Sequence, residues 1–253
     1  MVAIASPVSK FFLRVGGVAF SHEVCMASPP TLLYFAFRGR ALACRVALFN
    51  SLGKDGWKDE RVSLPRFKKT PKPPQNPDRV DAEYVTNNLP QLNLPCGTKV
   101  SQSHAIARYA ARMEPNEAPA HYLPDLYPSD ARGALLVDEA VAVVDQILLL
   151  TPKDEDAAVR AKNRDVFQQS GFLRVGMELL EGRLRQSGGP YLLGAQLTIA
   201  DLYVRAPLCD LFDLKQFEGV DDNFLDQFPR VRACGAAVLE HPLLRAYHEH
   251  YKS

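Results

Sequence analysis

The stretch TLLYFAFRGRALA, residues 31–43, decides the fold. Thr31 to Phe37 is an apolar and aromatic run that reads as a buried strand. Gly39 marks the turn out of it. Ala41, Cys44, Arg45, Leu48 and Leu52 then recur at helical spacing up to Gly53. Arg38 and Arg40 flank the glycine at the strand-to-helix junction. In α/β folds such junctions present backbone and side chains to the end of the sheet where ligands bind. Tyr34 lies at that end. A phenol that donates a hydrogen bond, beside a cation, is suited to stabilising an anion.

Outward from this stretch the pattern stays α/β. Trp57 to Leu64 carries Val62 and Leu64 and reads as a second strand. Pro65, Pro71, Pro73, Pro74 and Pro77 then make residues 65–77 an irregular excursion, followed by a short turn over Tyr84 to Asn88. Leu89 to Leu94 alternates apolar and polar residues like a half-buried strand, Pro95 to Thr98 is a hairpin turn, and Lys99 to Ser101 is the returning strand. Gln102-Ser103 opens a helix with Ala105, Ile106, Tyr109, Ala110 and Met113 on one face. The order describes a small unit with a mixed sheet.

Two features of this unit carry chemistry besides Tyr34. A proline at position 90 enters a pairing strand without an N–H. It reads either as a cis bond that bares the Leu89 backbone to a ligand or as an edge-strand proline. The N–H groups at the start of the Gln102-Ser103 helix attract carboxylates, with Ser103 as the natural N-cap. Together the three elements describe a site for a peptide-like ligand. Its backbone pairs at Pro90, its carboxylate meets a helix start, and a nucleophilic atom lies beside Tyr34.

A linker with Pro115, Pro119, Pro124 and Pro128 leads into a region that reads as helix only. One helix covers Arg132 to Leu150 and is apolar on a broad face. A second runs from about Asp154 to Gln186, with Phe172, Val175, Leu179, Leu180 and Leu184 on one stripe, and ends at Gly188-Gly189-Pro190. Two shorter helices close the chain, near Pro229 to Leu239 and Pro242 to Tyr251. Thr198-Ile199-Ala200-Asp201 is a capping box with Leu197 and Leu202 at staple spacing, a structural signal that gives Asp201 no catalytic role.

The 253 residues, 47% hydrophobic and 23% charged, suffice for a packed core, and a net charge of +1 offers no basic excess for nucleic acid or an anionic membrane. The densest basic cluster, Arg66, Lys68, Lys69 and Lys72, reads as a solvated loop. Cys25, Cys44, Cys96, Cys209 and Cys234 are odd in number and include no C-x-x-C, which fits a reducing compartment and no structural zinc. No apolar run reaches membrane-span length, since Asp145 and Gln146 break the longest. Residues 1–30 hold Lys10, Arg14 and one acid, Glu23. They read either as a targeting segment or as an upstream extension ending at Met26, and stand outside the fold.

At these residues the sequence resembles the cytosolic glutathione transferases, most closely the sigma class with its prostaglandin D synthases and S-crystallins. The matching stretches are Leu33-Tyr34-Phe35 with Arg38-Gly39-Arg40-Ala41, then Leu89-Pro90-Gln91-Leu92, Ser101 to Tyr109, and Leu197 to Asp201. They fall in the family's order, from about Thr31 to Lys252. The resemblance implies an N-terminal thioredoxin-like domain with a mixed sheet (31–113) and a C-terminal all-helical bundle domain (128–253), an α/β plus all-α fold working as a homodimer. It implies Tyr34 and Arg40 as the catalytic pair, the phenol holding the glutathione sulfur and the guanidinium favouring its thiolate. Leu89, Pro90, Gln102 and Ser103 join Tyr34 as glutathione-binding positions. Glutathione enters as co-substrate, with no metal.

The implied function is attack of the glutathione thiolate on small electrophiles in the cytoplasm, by conjugation, peroxide reduction or prostaglandin isomerisation. Phe37 and side chains from Arg132 to Leu150 are candidates for the second substrate. The alternative is a catalytically weak structural or interaction protein of S-crystallin type. A thioredoxin-like oxidoreductase is disfavoured, because Tyr34 takes the catalytic place and Cys44 lies a turn into the helix. Three departures stand against the family pattern. Leu42 replaces a glutamate. Phe67 with one of Lys68, Lys69 or Lys72 takes the place of a tryptophan and lysine that hold the glycyl end. Gln146 stands where the family has an acid reaching the partner subunit, with Asp145 one residue away.

Overall fold

The computed structural model describes residues 29–70, 83–115 and 117–251. Residues 1–28, Lys72 and most of the proline-rich stretch lie outside the described residues. β1 (Thr31–Tyr34) runs parallel to β2 (Lys58–Arg61) and antiparallel to β3 (Gln91–Asn93), which pairs antiparallel with β4 (Lys99–Ser101), giving the order β2-β1-β3-β4. This is the mixed sheet expected. Its thioredoxin-like unit is followed by a helical one: α4 (Ala131–Leu150), α5 (Ala157–Gln169), α6 (Phe172–Ser187), α7 (Ile199–Tyr203), α8 (Asp210–Asp213), α9 (Pro229–Glu240) and α10 (Pro242–His250).

The helix after β1 joins the two units. A single 3-10 turn over Gly39–Ala41 leads into α1 (Leu42–Leu52), and every residue from Leu42 to Ser51 is buried. α1 packs on α3 (Ser103–Ala111) and also on α7 and α10. A helix buried all round must satisfy its polar side chains internally. Arg45 donates to Asp59 Oδ1 at 3.0 Å and to the carbonyls of Phe35 and Phe37 at 2.8 Å each. Asn50 exchanges bonds of 3.0 and 2.8 Å with the Leu123 backbone, and Ser51 Oγ donates to Ala110 O at 2.8 Å. Leu42, at the position of the family's glutamate, is fully buried in this core.

Four expectations need correction. The proline-rich stretch is not irregular at its start, because α2 (Leu64–Lys69) forms there. Ser63 caps it by accepting the Arg66 N–H at 3.3 Å, and Pro65 sits in its first turn, where a missing N–H costs nothing. The long helix from Asp154 to Gln186 is two helices. They part at Gly171, where an added Cβ would stand 2.7 Å from the Phe167 Cα. Tyr109 and Val175 face outward (48% and 51% exposed), while Ala107, Gly176 and Met177 take the inward places. Residues 204–209 leave regular helix through a cis Ala206–Pro207 bond and an extended Ala206.

The capping box is present at the start of α7. The buried Asp201 carboxylate accepts from the Thr198 N–H, the Thr198 hydroxyl and the Leu192 N–H, each at 2.8 Å. It thereby ties the loop before α7 to the helix itself.

Arg45→Met should lower stability by about 3 kcal/mol, because Asp59 and two loop carbonyls lose their buried donor. Urea denaturation measures it, and a change below about 0.5 kcal/mol would contradict the role given to Arg45.

Candidate active site

Sheet register assembles the site. Leu33 pairs with Gln91, and Gln91 pairs with Ser101. One step further along the three strands, Tyr34, Pro90 and Gln102 therefore stand side by side at the same end of the sheet. The Leu89–Pro90 bond is cis, and Leu89 is buried in the same small cluster as Tyr34, Ala41 and Val62. The three separate features read from sequence thus form one place.

Tyr34 is 5% exposed, and its hydroxyl accepts the Arg40 backbone N–H at 3.3 Å. Burial raises its pKa, opposed by that N–H bond and by the charges of Arg40 and Arg45. The side chain is accordingly a phenol at neutral pH, with its acceptor side engaged and its proton free to donate. Gly39 makes this approach fit. Its φ is +39°, and an added Cβ would lie 2.7 Å from the Tyr34 hydroxyl and 2.7 Å from the Phe37 ring. The turn is also held from below by Arg45, whose guanidinium lies 5.6 Å from the Tyr34 ring centroid.

Gln102 is a non-glycine residue at φ +79°, a conformation that L side chains adopt at a cost of about 1–3 kcal/mol. It occupies the N-cap position of α3 and supplies no side-chain cap. This corrects the expectation for Ser103, which is the first helical residue rather than the cap. Ser103 is buried, its carbonyl accepts from Cys44 Sγ at 3.2 Å, and its hydroxyl is left out of the capping pattern.

Arg40 reaches across to the helical unit, where its guanidinium is bonded to the Asp145 carboxylate. His104 Nδ1 approaches the other oxygen of Asp145 at 3.4 Å. Asp145 therefore faces the site of its own chain, while Gln146 is exposed. Arg38 makes a second crossing, at 2.9 Å to Asp210 Oδ1. Arg205 holds the same carboxylate at 2.5 Å and Asp213 at 2.7 Å. Burial raises the Asp210 pKa against the pull of Arg205 and Arg38.

An aromatic wall continues from Tyr34. Phe37 meets it edge-on at 5.4 Å and stacks on Phe35 at 5.6 Å, and Phe67 meets Phe35 edge-on at 5.5 Å. Phe37 is 60% exposed. Phe67 is thus engaged in the wall, while Lys68 and Lys69 are exposed on α2. Cys44 is fully buried and its thiol is pushed up to about 12 by burial, which removes it as a nucleophile. A cavity of about 380 Å³ lies elsewhere, between the start of α4 and the end of α6, and none of these residues lines it.

Sequence reasoning missed Asp145 as the partner of Arg40, the Arg38–Asp210 crossing and the bonds of Arg45. The one available signal was Arg45 itself, a charge on the apolar face of a helix.

Comparison with known proteins agrees with this architecture. Residues 146–250 match the family model described as glutathione S-transferase, C-terminal domain. S-crystallin SL11 of Nototodarus sloanii is 27% identical over 219 residues, covering 86% of this chain and 94% of the relative. Glutathione S-transferase alpha-3 of Rattus norvegicus is 26% identical over 230 residues, covering 88% and 89%. Prostaglandin synthase D of Nilaparvata lugens superposes with a TM-score of 0.65 at 18% identity, over 88% of this chain and 98% of that one.

Gly39→Ala should destabilise the protein by about 2 kcal/mol, since its Cβ meets both an unfavourable φ and the Tyr34 hydroxyl. Chemical denaturation reads this, and an unchanged midpoint would show that the turn has slack.

Proposed function

We propose, for a chain that carries the C-terminal domain of the glutathione S-transferases and has their fold, that it is a sigma-like glutathione transferase acting on small electrophiles. The observation that carries the reading is the Tyr34 hydroxyl. It is buried, engaged as an acceptor by the Arg40 N–H and free as a donor, at the sheet end shared by Pro90 and Gln102. In this reading the tripeptide backbone pairs beside Leu89 and Pro90. Its carboxylate meets Gln102 and Ser103 at the start of α3, and its sulfur accepts a hydrogen bond from the Tyr34 hydroxyl.

The energy needed is modest. A thiol of pKa about 8.5 is only about 3% thiolate at pH 7. Lowering that pKa by about 2 units makes most of it thiolate and takes about 2.7 kcal/mol. One phenolic hydrogen bond to the anion supplies most of this, and a nearby cation the rest. Arg40 is that cation, but Asp145 shares its charge, so its contribution is smaller than that of a free guanidinium. The thiolate then attacks the electrophilic carbon or peroxide oxygen of a substrate lying against the exposed face of Phe37, and the leaving group or alkoxide takes a proton from solvent.

The same reading makes the protein a cytoplasmic homodimer, the compartment resting on cysteine usage. The Arg108–Asp138 pair, 3.0 Å, joins α3 to α4 beside the exposed Tyr109 and Leu135, which supports that face as the subunit contact. The Arg40–Asp145 pair also favours a second reading, a catalytically weak protein of S-crystallin type. Retention on a glutathione matrix without turnover of a chromogenic electrophile would select it.

Tyr34→Phe should lower kcat/KM for conjugation about 10- to 100-fold while changing glutathione affinity less than about 3-fold. Wild-type turnover in this variant would remove Tyr34 from the mechanism. Arg40→Ala should move the pH of half-maximal activity upward by about 0.5–1 unit, since losing a cation disfavours the thiolate. An unmoved profile would show that Asp145 cancels Arg40 completely.

A further inference from the structure

Tyr203 ends α7 directly after the capping box. It is 0% exposed, and its hydroxyl has no hydrogen-bond partner among the described residues. A buried donor without a partner is costly, and native folds keep few of them. α7 packs against α3, which puts Ser103 among the polar groups acting on this hydroxyl, and Cys44, Asp145 and Arg40 are within its electrostatic reach. Burial holds the phenol proton in place well above the ordinary range, so the group is a donor at physiological pH.

Ser103 has the complementary need. Its hydroxyl does not cap α3 and lies at the helix start assigned above to a carboxylate. A serine hydroxyl carries one proton and two lone pairs. When the proton points at an anion, the oxygen becomes a better acceptor, and a donor waiting behind it strengthens the outward bond.

We propose that Tyr203 is a positioning residue for Ser103: its O–H donates to Ser103 Oγ when the Ser103 O–H donates to a carboxylate oxygen of the bound tripeptide. No proton changes owner and no bond to carbon forms. The chain of donors runs from the helical unit through Ser103 to the ligand, so the core of one unit helps to shape the binding site of the other. The inference rests on Ser103 belonging to the glutathione site.

The test is a double-mutant cycle with glutathione as the titrant in isothermal titration calorimetry. Ser103→Ala should weaken Kd about 10- to 50-fold and Tyr203→Phe about 3- to 10-fold. The double variant should bind no more weakly than Ser103→Ala alone, within a factor of about two. The Tyr203→Phe melting temperature should hold or rise, because the variant only deletes an unpaired buried oxygen. Wild-type affinity in Tyr203→Phe, with Ser103→Ala weakened, would overturn the donor chain and leave the site reading standing. Multiplying losses in the double variant would overturn it too. So would a melting temperature lower by more than about 5 °C, or failure to fold, since either would assign the hydroxyl to packing. Unweakened binding in Ser103→Ala would instead overturn the site reading itself.

Discussion

A guanidinium inside the first helix shapes the turn on which the site depends. Arg45 is almost wholly buried, and its three bonds go to Asp59 and to the carbonyls of Phe35 and Phe37. Those carbonyls bracket the point where the chain leaves β1, so their direction sets the path through Arg38, Gly39 and Arg40. The Arg40 N–H consequently arrives at the Tyr34 hydroxyl, and Gly39 gives it room. A charge placed in a core is stable only when paired and fully bonded. Here those obligations are met by the groups that direct the turn after β1.

Two further crossings tie this turn to the helical unit, Arg38 to Asp210 and Arg40 to Asp145. They set the electrostatics of the site as well as its shape. A paired Arg40 polarises its surroundings less than a free one, which in the proposed reading shifts the burden of thiolate stabilisation onto the phenol. Tyr34 suits that burden. Burial keeps its proton on, and the backbone bond it accepts leaves that proton directed elsewhere. The proposed chemistry thus depends more on a neutral donor held in place than on net positive charge.

Much of this was legible in the amino-acid order, because it rests on local rules. The strand at Thr31, the hairpin pairing Leu92 with Val100, the capping box at Thr198 and the two proline-led helices near the C-terminus follow from short-range patterns. The gathering of Tyr34, Pro90 and Gln102 was legible from the strand-to-helix junction, the proline entering a strand and the helix start, and the strand register supplies its physical reason. The misses share a different cause. Arg38 meets a residue 172 positions away, and no periodicity reports such a contact. Ser103 resembles a cap, yet Gln102 takes that place through a left-handed backbone that propensity disfavours. Ser63 and Pro65 start a helix that the surrounding prolines disguised, and the backbone crowding at Gly171 that divides a long helix is visible only in three dimensions.

In the proposed reading a neutral phenol at position 34 keeps the sulfur of a bound tripeptide anionic. The most direct test is a titration of the glutathione thiolate, followed by ultraviolet absorbance, on the wild-type protein and on one lacking that hydroxyl. The bound-thiol pKa should lie about 2 units below the free value of about 8.5 and return most of the way when the hydroxyl is removed. Identical titrations with and without the hydroxyl, or a bound thiol that titrates like free glutathione, would contradict that reading.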